Sequence, residues 1–220
     1  MRRRAEPEWM DDLDEAEAYA RADFRDVNEA FVDRLLELAG SRETADAVDL
    51  GTGPGDIPLR VWRRRPGWRI VAVDASEAML SFARKAAEEA GAGQAIRWVL
   101  ADAKRTALPD AAFEVVFSNS ILHHITQTDV FWAEVRRLAR PAALLFLRDL
   151  ARPDDEAAAR RIVQRYAAGE SELLREEFYR SLLSSYTVAE VRQQLRRAGL
   201  GGLEVRMVTD RHLDIFGRVE

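Results

Sequence analysis

Apolar residues in this chain fall into short, nearly continuous runs, separated by longer segments in which they recur every three or four positions. The continuous runs are typical of buried parallel strands, and the wider spacing is typical of helices that cover a sheet. Two predicted strands end at Asp49 and Asp74, and three more lie at 95–100, 113–118 and 142–150. Helices are predicted between them at about 55–65, 76–90 and 128–139. This alternation predicts an α/β fold in which helices cover both faces of a parallel sheet.

The segments outside this alternation are mainly helical. Two N-terminal helices are predicted at 8–21 and 26–39, and two helices rich in Arg and Glu at 154–168 and 171–185. A helix at 187–198 begins with a capping box, and two alternating strands after it form a hairpin around Asp210. We therefore expect a single domain, 1–220, with an N-terminal helical cap at 1–40, a ligand-binding core at 45–150, a helical insertion at 151–186, and a C-terminal helix and hairpin at 187–220.

Charge and cysteine content narrow the classes of protein that fit this fold. The formal net charge is −5, so the chain has no overall basic field that would attract nucleic acid. Cysteine is absent, which excludes disulfides, thiolate metal sites and a cysteine nucleophile, and suits a reducing cytoplasm. No apolar run reaches the length of a membrane span, and the basic N-terminal residues are not followed by the hydrophobic segment of a secretory signal. We therefore expect a cytoplasmic protein.

A glycine-rich turn, DLGTGPGD, follows the first predicted strand. Asp49 closes the strand, and Gly51, Gly53 and Gly55 follow at alternate positions, with Thr52 among them. Glycine adopts positive φ and lets a ligand approach the backbone, and the amides at the start of the next helix then face a polar or anionic ligand. The turn therefore indicates a strand–loop–helix that binds a nucleotide-like molecule.

Acidic residues end successive predicted strands. Asp49, Asp74 and Asp102 close the first three strands in order, and ligands of open parallel sheets bind at the carboxyl ends of strands. Asp74 lies 23 residues after Gly51, a spacing at which an acid can accept both hydrogens of a ribose diol. Asp102 is a candidate acceptor for an exocyclic amine such as adenine N6. A helix-capping role is the alternative for any one of these acids.

The spacing Asp-x-Gly-x-Gly-x-Gly differs from the G-x-G-x-x-G turn of dinucleotide-binding proteins and resembles the first motif of class I S-adenosylmethionine-dependent methyltransferases. The resemblance covers about 45–150 and includes VDAS, ADA and FEVVFSNSILHHI. It is strongest to the small-molecule branch typified by ubiquinone- and menaquinone-biosynthesis methyltransferases. It implies a Rossmann-like fold with a mostly parallel seven-stranded sheet, an antiparallel C-terminal hairpin and a helical lid.

The resemblance also implies a cofactor, S-adenosylmethionine, and a set of residues that contact it. The glycine turn would pack against the methionine part with Asp49 near its amino group, and Asp74 would hold the ribose hydroxyls. No metal is implied, because a sulfonium transfers its methyl group by in-line displacement. The expected cofactor-binding residues are Asp49, Gly51, Thr52, Gly53, Gly55, Asp74, Ala75, Met79, Asp102, Ala103 and Asn119.

Candidates on the acceptor side come from three places in the sequence. His123 and His124 follow the fourth predicted strand, and each is either a base that removes a proton from the acceptor or a residue that positions the loop. Arg148, at the end of the fifth strand, either holds an acceptor group or pairs with Asp149. Tyr19 and Asn28 in the N-terminal helices are further candidates, with core packing as the alternative.

These patterns predict an enzyme that transfers a methyl group to an oxygen, nitrogen or carbon atom of a small molecule. The sequence SNSI lacks the N/D-P-P-Y/F pattern, which disfavours methylation of exocyclic nucleobase nitrogens. An RNA or protein methyltransferase, and a non-catalytic relative that only binds the nucleotide, are the alternatives. Nucleic acid and membrane are not expected partners, and a homodimer is left open.

Overall fold

The computed structural model describes residues 1–6 and 24–219. These residues form one seven-stranded sheet in the order β3-β2-β1-β4-β5-β7-β6. The first five strands run parallel, and β7 is antiparallel to both β5 and β6. The predicted mostly parallel sheet with an antiparallel C-terminal hairpin is confirmed. The strands are β1 (Ala45–Leu50), β2 (Trp68–Asp74), β3 (Ile96–Leu100), β4 (Phe113–Asn119), β5 (Ala139–Leu150), β6 (Glu204–Met207) and β7 (His212–Arg218).

Seven helices accompany the sheet in the described part of the chain. Their ends agree with the predicted spans to within two residues, because side-chain caps such as Ser76 and Ser171 fix where they begin. The helices are α1 (Arg25–Ala39), α2 (Asp56–Arg64), α3 (Glu77–Glu89), α4 (Thr128–Leu138), α5 (Glu156–Tyr166), α6 (Glu172–Ser184) and α7 (Val188–Arg197). The predicted helix at 8–21, with Tyr19, lies outside the described residues.

The fifth strand begins three residues earlier than predicted. Ala139 leaves the last turn of α4 in an extended conformation, so helix and strand join without a loop. Arg140 and Pro141, which lie between the predicted helix at 128–139 and the predicted strand at 142–150, both belong to β5. The register between β4 and β5 shifts between Phe113 and Val115, which accommodates the extra residues.

Two large apolar layers cover the faces of the sheet. On one face, the Phe31 ring of α1 lies 4.7 Å from the Phe146 ring of β5 and 6.4 Å from the Phe117 ring of β4. On the other face, the fully buried Trp132 of α4 donates through its indole nitrogen to Gln194 of α7, at 3.0 Å. Alternate strand residues supply the two layers, because successive side chains of a strand point to opposite faces.

The strand order reverses direction at β1, which pairs with β2 on one side and with β4 on the other. A ligand crevice is expected at such a switch point, outside the carboxyl ends of the strands. The glycine turn and the end of β4 both lie at this place in the sheet. In the described part of the chain, no helix is long and apolar enough to cross a membrane.

A smaller apolar cluster joins α5 and α6 beyond the end of β5. The first six residues run along this helical pair. The Arg4 amide donates to the Leu183 carbonyl at 3.0 Å, and the N-terminal amine donates to the Asp154 carbonyl at 2.8 Å. The predicted insertion is thus helical, and residues 1–6 lie against it.

Candidate active site

The glycine turn is held against the end of β2. The amides of Gly51 and Thr52 both donate to the Val73 carbonyl, at 2.8 and 2.9 Å. Gly51 has a φ of 72°, and a Cβ atom there would lie 2.5 Å from Cδ1 of Ile121 in the loop after β4. Glycine is therefore required at this position both by backbone conformation and by the neighbouring side chain.

The second half of the turn faces open space on one side. Gly53 has a φ of 55°, yet a Cβ atom there would meet no other atom within 4 Å. Gly55 precedes α2 with a φ of 83°, and its Cβ atom would lie 2.8 Å from both Ala83 and Trp98. The turn is thus packed at Gly51 and Gly55 and accessible at Gly53, the arrangement expected where a ligand approaches the backbone.

Asp49 is buried behind the turn, with 1% of its surface exposed. Its Oδ2 atom has no hydrogen-bond partner among the described residues, and neither has the buried hydroxyl of Thr52. Burial raises the pKa of Asp49 from 3.8 to about 7. A buried acceptor without a partner is costly, and a bound donor such as an ammonium group would relieve that cost.

Asp74 accepts hydrogen bonds from the backbone around it. Its Oδ2 atom accepts from the Gly53 amide at 2.7 Å, and its Oδ1 atom accepts from the Ser76 amide at 2.9 Å. Burial raises its pKa even though these amides lower it. Asp74 therefore ties the glycine turn to the start of α3, and it lies where the sequence predicted a ribose-binding acid.

Four more of the predicted cofactor-binding residues follow Asp74 along the chain, namely Ala75, Met79, Asp102 and Ala103. The Ala101 amide donates to the Asp74 carbonyl at 2.9 Å, which places Asp102 and the buried Ala103 beside it. Asp102 pairs with Lys104, whose Nζ atom lies 3.1 Å from Oδ2. Of the two remaining predicted residues, Met79 is buried on the inner side of α3 and Ala75 is exposed.

Asn119 and Asn28 meet at the carboxyl end of β4. The Asn119 side-chain nitrogen donates to Oδ1 of Asn28 at 3.4 Å, and Asn28 donates to Asp56 at 2.7 Å. Helix α1 thereby brings Asn28, a predicted substrate-binding residue, to Asp56, the first residue of α2. Ser120, the next residue, has a φ of 63°, a left-handed conformation that is uncommon outside glycine and that clusters at functional sites.

His123 is buried and paired with Asp149, which the sequence had suggested as one of two alternative partners of Arg148. Its Nδ1 atom lies 2.6 Å from Oδ1 of Asp149, which also accepts from the amides of Leu122 and Leu150. Burial and the nearby Arg3 charge lower the pKa of His123, but the carboxylates of Asp149 and Glu6 outweigh them, and the pKa is raised. Asp149 thus fixes the ring so that Nε2 points away from the sheet.

Glu6 lies against both histidines, and nothing in the sequence pattern indicated it. Its Oε1 atom lies 3.6 Å from Nε2 of His123 and 3.2 Å from Nδ1 of His124. The hydroxyls of Ser181 and Ser184 donate to the same oxygen, at 3.3 and 3.0 Å. Burial raises the pKa of Glu6. A single acid near the N terminus has no local signature, so only the fold reveals this contact.

Arg148 has a different partner from those predicted. Its guanidinium group donates to both carboxylate oxygens of Asp214 on β7, at 2.6 and 2.9 Å, and both residues are buried. The alternative that Arg148 pairs with Asp149 is wrong, because adjacent residues of a strand point to opposite faces. The occupied guanidinium gives no support to an acceptor-binding role for Arg148.

His212 is the first residue of β7 in the C-terminal hairpin. Its Nδ1 atom is 3.1 Å from the Thr209 hydroxyl, and its backbone amide donates to the same oxygen at 2.9 Å. Burial lowers its pKa to about 4. The ring therefore stays neutral at physiological pH and closes the turn before β7.

Relatives of known sequence match the central part of the chain. Residues 48–147 match a family described as a methyltransferase domain. The malonyl-[acyl-carrier protein] O-methyltransferase of Serratia marcescens is 32% identical over 58% of this chain and 45% of its own length. The ubiquinone/menaquinone biosynthesis C-methyltransferase of Paracoccus denitrificans is 29% identical over 51% of this chain and 45% of its own length. The chain spans about half the length of the curated relatives it matches.

Solved structures of methyltransferases share the fold over nearly the whole chain. An S-adenosylmethionine-dependent methyltransferase from Aquifex aeolicus has a TM-score of 0.70 at 19% identity and covers 96% of this chain and 100% of its own. A protein from Methanococcus maripaludis described as a putative methyltransferase of the same kind has a TM-score of 0.74 at 16% identity, over 97% and 95% of the two chains. Residues 48–147 therefore match a methyltransferase domain, and the described residues share the fold of solved S-adenosylmethionine-dependent methyltransferases.

Proposed function

We propose that this protein transfers a methyl group from S-adenosylmethionine to an oxygen, nitrogen or carbon atom of a small molecule by in-line displacement. The observation that carries the proposal is the unpartnered Oδ2 atom of Asp49, buried at the glycine turn. An ionised carboxylate in this position suits the ammonium group of a methionine moiety. No described residue supplies a donor to that oxygen within hydrogen-bond distance, and the nearby Thr52 side chain, which lowers the pKa of Asp49, does not offset the effect of burial.

The other residues of the turn fit the rest of the cofactor. The open side of Gly53 leaves room beside the backbone, and the hydroxyl of Thr52 offers a second buried polar atom without a partner. Asp74 and Asp102, at the ends of neighbouring strands, would bind the ribose hydroxyls and the adenine amine. When bound, S-adenosylmethionine supplies an electrophilic methyl group on its sulfonium.

The loop after β4 would form the acceptor side. The protein contributes to a displacement of this kind chiefly by orienting the acceptor and excluding water. His123 has the geometry of an oriented base, because Asp149 holds its Nδ1 atom and directs Nε2 away from the sheet. That Nε2 atom faces Glu6, so a methyl acceptor could transfer its proton to Nε2 only if the Glu6 side chain moved aside.

The names of the relatives support a small-molecule or carrier-bound acceptor. They include methyltransferases of malonyl-acyl-carrier protein, of ubiquinone and menaquinone biosynthesis, and of trans-aconitate. These acceptors differ in the atom that is methylated, so the class of acceptor stays broad. A cytoplasmic location and the absence of nucleic acid as a partner stay predictions from the sequence, and assembly into a homodimer stays open.

Calorimetric titration tests the cofactor assignment directly. S-adenosylmethionine and S-adenosylhomocysteine should each bind the wild-type chain at one site. Asp74→Ala should weaken binding roughly tenfold to a hundredfold, the range expected for lost hydrogen bonds to a charged group. Asp110→Ala, which removes an acid with 79% exposure on another loop, serves as the matched control and should bind normally.

Two results would contradict the proposal. One is the absence of binding to a folded wild-type chain. The other is an Asp74→Ala variant that binds as well as the control. If binding is confirmed, a screen of metabolites with methyl-labelled cofactor identifies the acceptor.

A further inference from the structure

Three potential metal ligands from distant parts of the chain converge beside the candidate acceptor site. Glu6, His123 and His124 each offer one ligand atom, and these atoms all lie within 4.8 Å of one another. We propose that these three residues bind a divalent transition-metal ion of the zinc class. The proposal does not rest on the proposed methyl transfer, which needs no metal.

The distances suit a tetrahedral ion. Ligand atoms placed about 2.0–2.1 Å from a tetrahedral ion lie roughly 3.3 Å from one another. The Glu6 oxygen is 3.6 Å from Nε2 of His123 and 3.2 Å from Nδ1 of His124. Two of the three edges are therefore already close to the required length. Three protein ligands would leave the fourth position for water or another oxygen donor.

Asp149 gives His123 the support that metal-binding histidines usually have. A histidine ligand commonly donates its second ring nitrogen to a carboxylate, which fixes the ring and makes the ligand nitrogen more basic. Nδ1 of His123 is 2.6 Å from Asp149, and Nε2 is the atom that points at Glu6. The hydroxyls of Ser181 and Ser184 donate to Oε1 of Glu6, the oxygen that faces the histidines, and hold this carboxylate in place.

The charges around the cluster are compatible with a divalent cation. Glu6 and Asp149 bring two carboxylates to the two imidazoles. Arg3 is the nearby cation, but its guanidinium group donates to the backbone carbonyls of His123 and Ser184 and stacks on the Tyr186 ring at 4.2 Å. The Arg3 charge is thus directed at carbonyl oxygens.

The donor set decides which ions are favoured. Imidazole nitrogens suit Zn²⁺ and its neighbours in the first transition row, whereas Mg²⁺ and Ca²⁺ prefer oxygen ligands. Two histidines and one carboxylate is a common set for zinc with an open position. Nε2 of His123 cannot bind a metal ion and accept a proton at the same time. With the ion bound, His123 would therefore act as a metal ligand and not as a general base.

Metal titration of the full chain, freed of tags and treated with a chelator, tests the site. We expect one equivalent of Zn²⁺ to bind, and Co²⁺ to give the visible absorption of a tetrahedral site. Glu6→Gln and His124→Ala should each weaken Zn²⁺ binding at least about tenfold, the lower end of the loss seen even for changes outside the ligand shell. His212→Gln removes the remaining histidine, which lies in the hairpin, and should bind Zn²⁺ like the wild type.

Circular dichroism of each variant establishes that it is folded before titration. Failure of the folded wild type to take up one equivalent of Zn²⁺ would overturn the proposal. So would Zn²⁺ binding that survives both Glu6→Gln and His124→Ala, since the ion would then lie elsewhere. No methyl donor is present in these titrations, so their failure is distinct from failure of the proposed methyl transfer.

Discussion

Asp49 combines a cost in stability with a proposed role in binding. Its carboxylate is almost fully buried, one oxygen has no partner among the described residues, and its pKa is raised to about 7. A group whose folded-state pKa is raised in this way destabilises the fold once it is ionised. A bound ammonium group would remove this loss of stability. The protein without cofactor is therefore less stable because its binding site is already formed.

Asp49→Asn should therefore stabilise the free protein and weaken its cofactor binding. The unfolded carboxyl group ionises near pH 3.8 and the folded one near 7, so the penalty grows between these values and is complete above pH 7. The advantage of the variant should reach at most roughly 4 kcal/mol at pH 8 and shrink as the pH falls toward 4. Denaturant unfolding at several pH values measures it.

Asp33→Asn, which changes an acid with 65% exposure on α1, provides the control for removing a negative charge. It should show no comparable dependence on pH. An advantage of Asp49→Asn that is equal at pH 5 and pH 8 would mean that the buried charge does not limit stability.

At the scale of elements, the glycine turn and the loop after β4 interlock. The Ile121 side chain occupies the space that a side chain at Gly51 would need, whereas the space beside Gly53 is open. Both glycines have positive φ. Substitution of Gly53 therefore measures the effect of backbone strain alone, whereas substitution of Gly51 adds the effect of a steric overlap.

Gly53→Ala should cost about 1–2 kcal/mol of unfolding free energy, from the left-handed conformation alone. Gly51→Ala should cost about 1–3 kcal/mol more, because the new methyl group overlaps Ile121. Denaturant unfolding of the two variants gives the comparison. Adding Ile121→Ala to Gly51→Ala should recover part of the extra loss. Equal losses for the two glycine variants would show that the Ile121 contact is unimportant.

The sequence was sufficient for features that depend on neighbours along the chain. The strands, the helices and the glycine turn follow from local periodicity and spacing, and the mostly parallel sheet with its antiparallel hairpin agrees with the family resemblance. The partners of Arg148 were missed, since its pairing with Asp214 depends on the register between β5 and β7. Strand alternation alone would have excluded an Arg148–Asp149 pair, and that information was present in the sequence.

At the scale of the whole molecule, the two sides of the candidate site are assembled differently. The proposed cofactor side comes mainly from β1, β2 and β3 and the turns after them, and Asn119 joins it from the end of β4. The acceptor side joins the N-terminal residues to the loop after β4 and to α6. Such contacts could not be predicted, because Glu6 and the histidines share no pattern and are brought together by the complete fold alone.

The contacts of the first six residues also bear on the order of folding. Arg3 donates to carbonyl groups 120 and 181 residues further along the chain, so these contacts close very long loops. Loop closure of this length is slow compared with pairing of neighbouring strands. During synthesis, the N-terminal residues must wait until α6 has been made.

We therefore expect the cofactor side to form before the acceptor side during refolding. Pulsed hydrogen exchange should protect amides of β1 earlier than the Arg4 amide, which is bonded to Leu183. Simultaneous protection would argue against this order. An intermediate of this kind would already contain the proposed S-adenosylmethionine site while its acceptor side is still unformed, so the cofactor would act as a template for the last step of folding.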